Sequence, residues 1–499
     1  MKAIGTYTLD FAVQRRWKQL VALVLPLTLA GCFGIGGQGP STAALNVALP
    51  AAAPAVLGVP KRLPADERRM IATFGGVYHW PAAENYLDGV LRKLAAATPG
   101  TVQPYHLTIL DAPQVNAFAL PSGDIYVTRG LLVLANDTSE IAAVMAHEIG
   151  HVTAHHAAKR AEYAKRMALI SHAAEQVETP QQSAATQSRS ELALAKFSRQ
   201  QELDADNIGI HVIARAGYDP FAAARFLTSL SQSTQLRQSL YGLQSNASRP
   251  DIMATHPSTP QRIAAALREA RAMGAPGIGQ RGRRAYLQAI NGMVYGDSPV
   301  NGVVEGRVFL HPKLDFAFTA PPDFVLQNTR QAVLGVDKDA SEALRLDSVQ
   351  LGSQTSLTDY FKSGWLDGLD ASTITTGETN GFPSAVAIAH SGAWDFRVAV
   401  IRFGADVYRM IFATRKLTPD VDSAFTTSIG SFHRLSLQDA ANVHPQHIAL
   451  VTAKPGDTPA TLAASMATQA RAVDYFRMIN GLADNATLVP GQEYKVIAQ

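Results

Sequence analysis

A chain of 499 residues, 47% apolar and 17% charged, is long enough for about three globular domains and has the balance of a folded protein. Lys and Arg (44) exceed Asp and Glu (41) by a formal charge of +3, and that excess lies before residue 32, where Lys2, Arg15, Arg16 and Lys18 face Asp10 alone. The remainder is neutral, so bulk charge attracts no nucleic acid, and a single cysteine excludes an intramolecular disulfide framework.

The basic residues Arg15, Arg16 and Lys18 precede an apolar run, Leu20 to Gly31, too short to span about 30 Å of hydrocarbon at about 1.5 Å per residue. It reads as the core of a signal peptide covering 1–31. Leu29-Ala30-Gly31-Cys32 resembles the bacterial lipobox, which implies a lipidated Cys32. Phe33 in place of Asp then implies sorting to the outer membrane of a Gram-negative cell. Residues 32–60 lack periodicity and carry Gly-rich and Ala-Ala-Ala-Pro stretches, the composition of a flexible tether.

A folded unit is expected over 61–285. Apolar spacing predicts a helix over 82–97, and 105–111 alternates like a strand. Residues 116–128 read as two strands joined at Pro121-Ser-Gly-Asp124. A helix starts near 138, with Asp137 and Glu140 at capping-box spacing. The Gln, Ser and Ala of 174–190, with Pro180, predict a solvated connection. A second helix follows over 190–216, ending at Gly217, and Asp219-Pro220 opens a third. Beyond 285 the period moves toward two: 394–402 and 407–412 form a hairpin, and 309–318 adds strand signal, which makes 300–435 a separate α+β unit. The overall expectation is a multidomain α+β protein.

His147-Glu148-Ile149-Gly150-His151 lies on the helix that starts near 138. Histidines four apart are displaced by about 40° around the axis and about 6 Å along it, so both rings can reach one ion with Zn–N bonds of about 2.0–2.1 Å. Glu148, rotated by about 100° from His147, faces a water on that ion and serves as general base. A third ligand is needed. His155 stands about 12 Å of helix rise from His147, and a further histidine six residues past His151 would fall on Ala157, so His155 and His156 read as surface residues. Glu202 and Asp206, one helical turn apart in Ser198–Asp206, offer a ligand and a carboxylate that holds a ligand histidine in one tautomer. An exposed acidic helix face is the alternative for that pair.

Asn116-Ala-Phe-Ala-Leu-Pro-Ser-Gly, Thr128-Arg-Gly-Leu-Leu132, Glu140 to His151, the Glu202 to Asp206 block and Gly217-Tyr-Asp-Pro220 together resemble the HtpX-like and CAAX prenyl protease family of zinc metallopeptidases over about 65–270. The resemblance implies a mainly helical zincin-type domain with a small sheet, one zinc ion on His147, His151 and Glu202, Glu148 as base and Asp206 as supporting carboxylate. With no membrane-spanning run around the motif, the chain is similar to the soluble, BepA-like periplasmic branch, but lacks the repeats that follow the protease there. Thr255-His256-Pro257 and Arg262 extend the likeness. In soluble relatives such a histidine approaches the zinc, which gives His256 a gating or electrophilic role and Arg262 a place at the substrate; a capping loop before the helix at Pro260 is the alternative.

Residues 300–435 resemble the PsbP-like fold. Over 445–499 the order Gly456-Asp457-Thr458, helix, Met478-Ile-Asn480 and Leu488-Val-Pro-Gly491 resembles the LysM module, implying peptidoglycan as a partner. A packing module of that shape is the alternative, since Pro459 and the extra residues around 468–474 depart from the pattern. The expected function is endoproteolysis of misfolded or unassembled envelope proteins, with an extended substrate pairing along the sheet edge at Asn116, Ala117, Phe118 and Ala119. The competing reading is a peptidoglycan-binding adaptor or holdase with a latent zinc site.

Overall fold

The computed structural model describes residues 63–100, 103–177, 180–241, 256–329, 331–467 and 471–499. The expected signal peptide, Cys32 and the tether lie outside the described residues.

Helices α1 (Ala65–Thr73) and α2 (Pro81–Ala97) open the first unit. Pro81 occupies the first turn of α2, where a missing N–H costs nothing, and Ala83, Leu87, Val90, Leu91 and Leu94 form its buried stripe. Strands β1 (His106–Leu110), β2 (Ala117–Ala119) and β3 (Asp124–Thr128) make a three-stranded sheet in the order β1-β3-β2. The predicted hairpin is present, with Ala117 opposite Val127 and Ala119 opposite Ile125, and β2 is left at the edge.

Short helix α3 (Arg129–Leu134) leads into α4 (Thr138–Thr153). The Asp137 side chain accepts the Glu140 N–H at 2.9 Å, and Glu140 Oε2 accepts from the N–H of Asn136 at 2.8 Å. Arg225 Nη2 and Arg281 Nε also donate to Asp137 Oδ2, at 3.1 and 2.9 Å. α4 is buried on nearly every side, so it is the central rod of the unit rather than a surface helix.

The described residues of the segment expected to be a solvated connection are helical. α5 (His156–Val177) and α6 (Pro180–Arg215) form a long pair on which Tyr163 stacks against Phe197 at 4.6 Å. Ala and Gln tolerate helix well, and Pro180 sits at a helix start, where it does no harm. α6 crosses α4 at close range because both helices present glycine at the crossing. A Cβ on Gly150 would come within 3.0 Å of the Ala205 carbonyl oxygen, and one on Gly209 within 3.1 Å of the His147 nitrogen. α7 (Ala222–Tyr241), α8 (Pro260–Met273) and α9 (Arg283–Ile290) complete the unit. Its core takes in Tyr286, Leu287, Ile290 and Met293, so the packing runs past residue 285.

Beyond residue 300 a seven-stranded antiparallel sheet spans Phe324–Thr414, beside a four-stranded one built mainly from Val303–Thr319. Strand Trp394–Phe403 pairs with Asp406–Thr414 across the expected hairpin. On it Ala399 and Ile401 enter one core with Phe316 and Phe412, while Val398 and Val400 enter another with Phe361. Alternating residues face opposite sides of a strand, so this sheet is covered on both faces. The final segment pairs His447–Thr452 with Glu493–Ala498 around helices Pro459–Ala463 and Ala472–Ile479. It is docked on the first unit: Val133 belongs to its core, and the buried Lys495 amine donates to the carbonyls of Val133 and Ala135 at 2.6 and 2.7 Å.

Candidate metal centre

The α4–α6 crossing carries Glu202 to the pair His147 and His151. Nε2 of His147 and Nε2 of His151 are 3.0 Å apart, and the Glu202 carboxylate lies 3.4 Å from the first and 3.5 Å from the second. His256 enters from the segment before α8, its Nδ1 3.1 Å from His147 Nε2 and 3.0 Å from Glu202 Oε2. A tetrahedral zinc with bonds of about 2.0–2.1 Å holds its ligand atoms about 3.3 Å apart. Four of the contacts, 3.0 to 3.4 Å among Nε2 of His147, Nε2 of His151, Nδ1 of His256 and Oε2 of Glu202, are therefore close to edges of such a tetrahedron, while His151 lies 3.5 Å from the other Glu202 oxygen. Three buried imidazoles around one carboxylate, all four donors within 4.8 Å of one another, fit a zinc ion in number and chemistry.

His256 stands at the fourth corner, which a catalytic zinc keeps open for water. Its Nδ1 closes the donor set, and its Nε2 lies 3.8 Å from Glu148 Oε1. Glu148 is buried, and its Oε1 has no hydrogen-bond partner among the described residues. That carboxylate oxygen is thus directed at the centre without being held by another group, as an acceptor for a substrate or water proton must be.

Asp206 receives Nε and Nη2 of Arg262, each at 2.7 Å, while Arg262 Nη1 lies 3.0 Å from Glu202 Oε2 and donates to the Pro257 carbonyl at 3.1 Å. Arg262 is buried among these partners, so the expected substrate contact is corrected: its guanidinium is committed to the two carboxylates that support the centre. Burial alone would depress the basicity of His147, but Asp206 and Glu202 outweigh it and raise its pKa to about 10. Burial and then the neighbouring His147 charge hold His151 well below its usual value. Burial opposes the charge of Glu202, yet His256 and His147 beside it keep its carboxyl well below the ordinary range.

The edge strand stands as expected for Ala117, Phe118 and Ala119, packed beside α4. Asn116 differs: its N–H donates to Thr128 Oγ1 at 2.9 Å and its carbonyl accepts the Thr128 N–H at 3.0 Å, so its main chain is taken up by β3. His155 is exposed, but His156 is buried, with Nδ1 3.0 Å from Nδ1 of His151. α4 ends at Thr153 and His155 adopts φ 55°, turning the chain so that His156 returns to the site. Helical extrapolation could not foresee this, because a left-handed histidine leaves little local signal.

A buried H-E-x-x-H helix crossed by a second helix that presents a carboxylate defines a metallopeptidase-type centre, and residues 81–270 match Peptidase family M48. Over that region the chain is similar to this family. It is 30% identical over 217 residues, 42% of each chain, to the beta-barrel assembly-enhancing protease of Escherichia coli K12. It is 29% identical over 187 residues to the mitochondrial metalloendopeptidase OMA1 of Schizosaccharomyces pombe, 36% of this chain and 50% of that one. The chain spans less than half the length of the assembly-enhancing proteases it matches. A cyanobacterial PsbP from Synechocystis aligns at 15% identity and TM-score 0.22, over 28% of this chain and 98% of its own. No described helix is long and apolar enough to cross a membrane.

Proposed function

We propose that the protein is a zinc-dependent endopeptidase hydrolysing peptide bonds of misfolded or unassembled cell-envelope proteins, anchored in the periplasm through a lipid on Cys32, at the outer membrane. The observation that carries this reading is the tetrahedral spacing of His147, His151, Glu202 and His256 beside the unpartnered Glu148 carboxylate. When bound, zinc supplies Lewis-acid polarisation of a carbonyl and acidifies a water. Glu148 takes a proton at its free oxygen and returns it to the leaving amine. Asp206 keeps a proton on Nδ1 of His147, which leaves Nε2 of that ring for the metal. The edge at Ala117–Ala119 binds an extended chain through main-chain groups, irrespective of sequence, which suits an unfolded client. The names of the bacterial relatives support an envelope role, and the 445–499 segment supports contact with peptidoglycan through its LysM-like order of elements.

The test measures metal content and casein cleavage in parallel for wild type and Glu148→Gln. Glu148→Gln should retain one zinc per chain and lose cleavage by about 10²–10⁴-fold; undiminished cleavage removes Glu148 from its role. A second reading, a peptidoglycan-binding adaptor or holdase with a latent site, draws on one observation: His256 fills the corner that a catalytic zinc keeps open. Wild-type protein loaded with zinc that binds sacculi and leaves casein intact would favour it.

A further inference from the structure

We propose that strand Leu369–Thr379, at the open end of the seven-stranded sheet, is a docking edge for an extended segment of a non-native polypeptide, which joins the sheet as a further strand. The inference goes beyond the proteolytic reading, because it gives the unit after residue 300 a binding role of its own.

The sheet ends in two strands of different character. Phe324–Asn328 terminates one side, and there Asn328 Nδ2 donates to the carbonyls of Asn301 and Gly302 at 3.0 and 2.7 Å, so a neighbouring segment is held against that end. Leu369–Thr379 terminates the other side, where no described strand pairs with its outer edge. Thr375, Thr376, Gly377 and Glu378 are all exposed. A Cβ on Gly377 would meet no described atom within 4 Å.

The turn decides which main-chain groups face outward. Leu369–Thr379 and Phe382–Ser391 are joined by Asn380 and Gly381, at φ 46° and 82°, the two-residue turn that Asn-Gly favours. Such a turn closes on a pair bonded through both main chains, here Thr379 and Phe382. Bonded and non-bonded pairs alternate along an antiparallel ladder. Gly377 and Thr375 therefore aim at the neighbouring strand, whereas Glu378 and Thr376 aim their N–H and C=O groups away from it. Pro383 stands opposite Glu378 and has no N–H to give, which agrees with that phase. Further back the register shifts between Asp370 and Thr375, and polar side chains close the edge: Asp370 Oδ1 accepts the Ser372 N–H at 3.0 Å, and Thr373 Oγ1 takes the Ile388 N–H at 2.9 Å. The open stretch is Thr375–Glu378.

The chemistry of this edge fixes what it takes. Donors and acceptors at strand spacing pair with the main chain of an extended segment, whatever its side chains. Lysine or proline commonly guards an exposed edge, and Leu369–Thr379 contains neither; its charges, Asp370 and Glu378, leave Ala371–Gly377 uncharged. The threonines and Ile374 favour the pleated conformation, and Ile374 packs against the core on one face, so the edge is formed before a partner arrives. A folded protein has its own strands paired. The occupant that offers unpaired main chain in an extended, uncharged stretch is therefore a polypeptide that has not folded.

The experiment uses the full chain carrying Glu148→Gln, so that a bound peptide stays whole, and a fluorescein-labelled peptide of about eight residues alternating valine and threonine between terminal lysines. Hydrogen exchange resolved to single amides should slow at Thr376 and Glu378 when the peptide binds. Two variants are added to that background. Thr376→Pro removes one outward donor and leaves the ladder to Phe382–Ser391 its hydrogen bonds; Thr376→Lys keeps the main chain and puts a charge on the edge. Each should weaken the peptide by about fivefold in fluorescence anisotropy, as should methylation of alternate peptide nitrogens. Unchanged exchange at both amides under saturating peptide, or equal affinity for the parent and both variants, overturns the docking edge. Slow exchange at both amides without peptide, together with a dimer in sedimentation, overturns it in favour of pairing between two copies of the chain. Casein cleavage by the wild type is a separate measurement, so failure of the proteolytic reading leaves the binding result as it stands.

Discussion

Oδ1 of Asp206 lies 2.9 Å from Nδ1 of His147, and the same carboxylate holds Arg262 through two hydrogen bonds. One side chain thereby fixes the tautomer of a metal ligand and the position of the cation beside Glu202. Asp206→Asn keeps the size of the side chain and removes its charge. Zinc affinity should fall by about 10–100-fold, measured by competition with a chromophoric chelator, and cleavage should return at saturating zinc.

Loading the apoprotein with zinc should release a proton. His147 is raised to about 10 against an ordinary 6.5, yet a metal takes only the neutral ring. Zinc affinity should therefore rise by about tenfold per pH unit from pH 7 toward about 10, and calorimetry in buffers of different ionisation enthalpy should count about one proton at pH 7. The same displacement stabilises the metal-free fold. That contribution is complete below the unfolded value of about 6.5 and is lost as pH rises through about 10.

His256→Ala should raise the rate of casein cleavage per bound zinc. The three remaining donors hold the ion, and the corner taken by Nδ1 of His256 becomes available to water and substrate. A lower rate with zinc retained would instead place His256 at the substrate as an electrophilic group.

Lys495→Met should lower the thermal midpoint, with a loss of about 2–4 kcal/mol for two buried carbonyls left without a donor. Burial holds the Lys495 amine well below the usual lysine range. Deleting residues 440–499 should destabilise the protease unit as well, because Val133 and the carbonyls at the end of α3 lose their cover. Native-state hydrogen exchange of α3 and the first turn of α4 would report the change. Unaltered protection would mean that the terminal module merely rests on the protease.

The helix carrying His147 and His151, its Asp137 cap and the hairpin at 116–128 were legible because each rests on local rules of spacing, capping and turn chemistry. Glu202 was reachable by asking which acidic residue could supply a missing ligand. The crossing that delivers it depends on Gly150 and Gly209, whose meaning appears only when two distant helices are set against each other. Residues 174–190 misled because a polar helix and a solvated loop share a composition. The engagement of Arg262 by Asp206 and the return of His156 were illegible for the same reason: both are tertiary contacts that local periodicity does not encode.

The amine of Lys495 reaches the Val133 carbonyl across 362 residues of sequence. A nascent chain can assemble the metal ligands long before that strand has been made, but the corner from which the ligand-bearing helix departs is still unsealed. Contacts so distant in sequence form late. The unit that holds the histidine cluster is thus finished by the segment synthesised hundreds of residues after it, so a prematurely terminated polypeptide carries all four clustered side chains and still has a weakened scaffold around them.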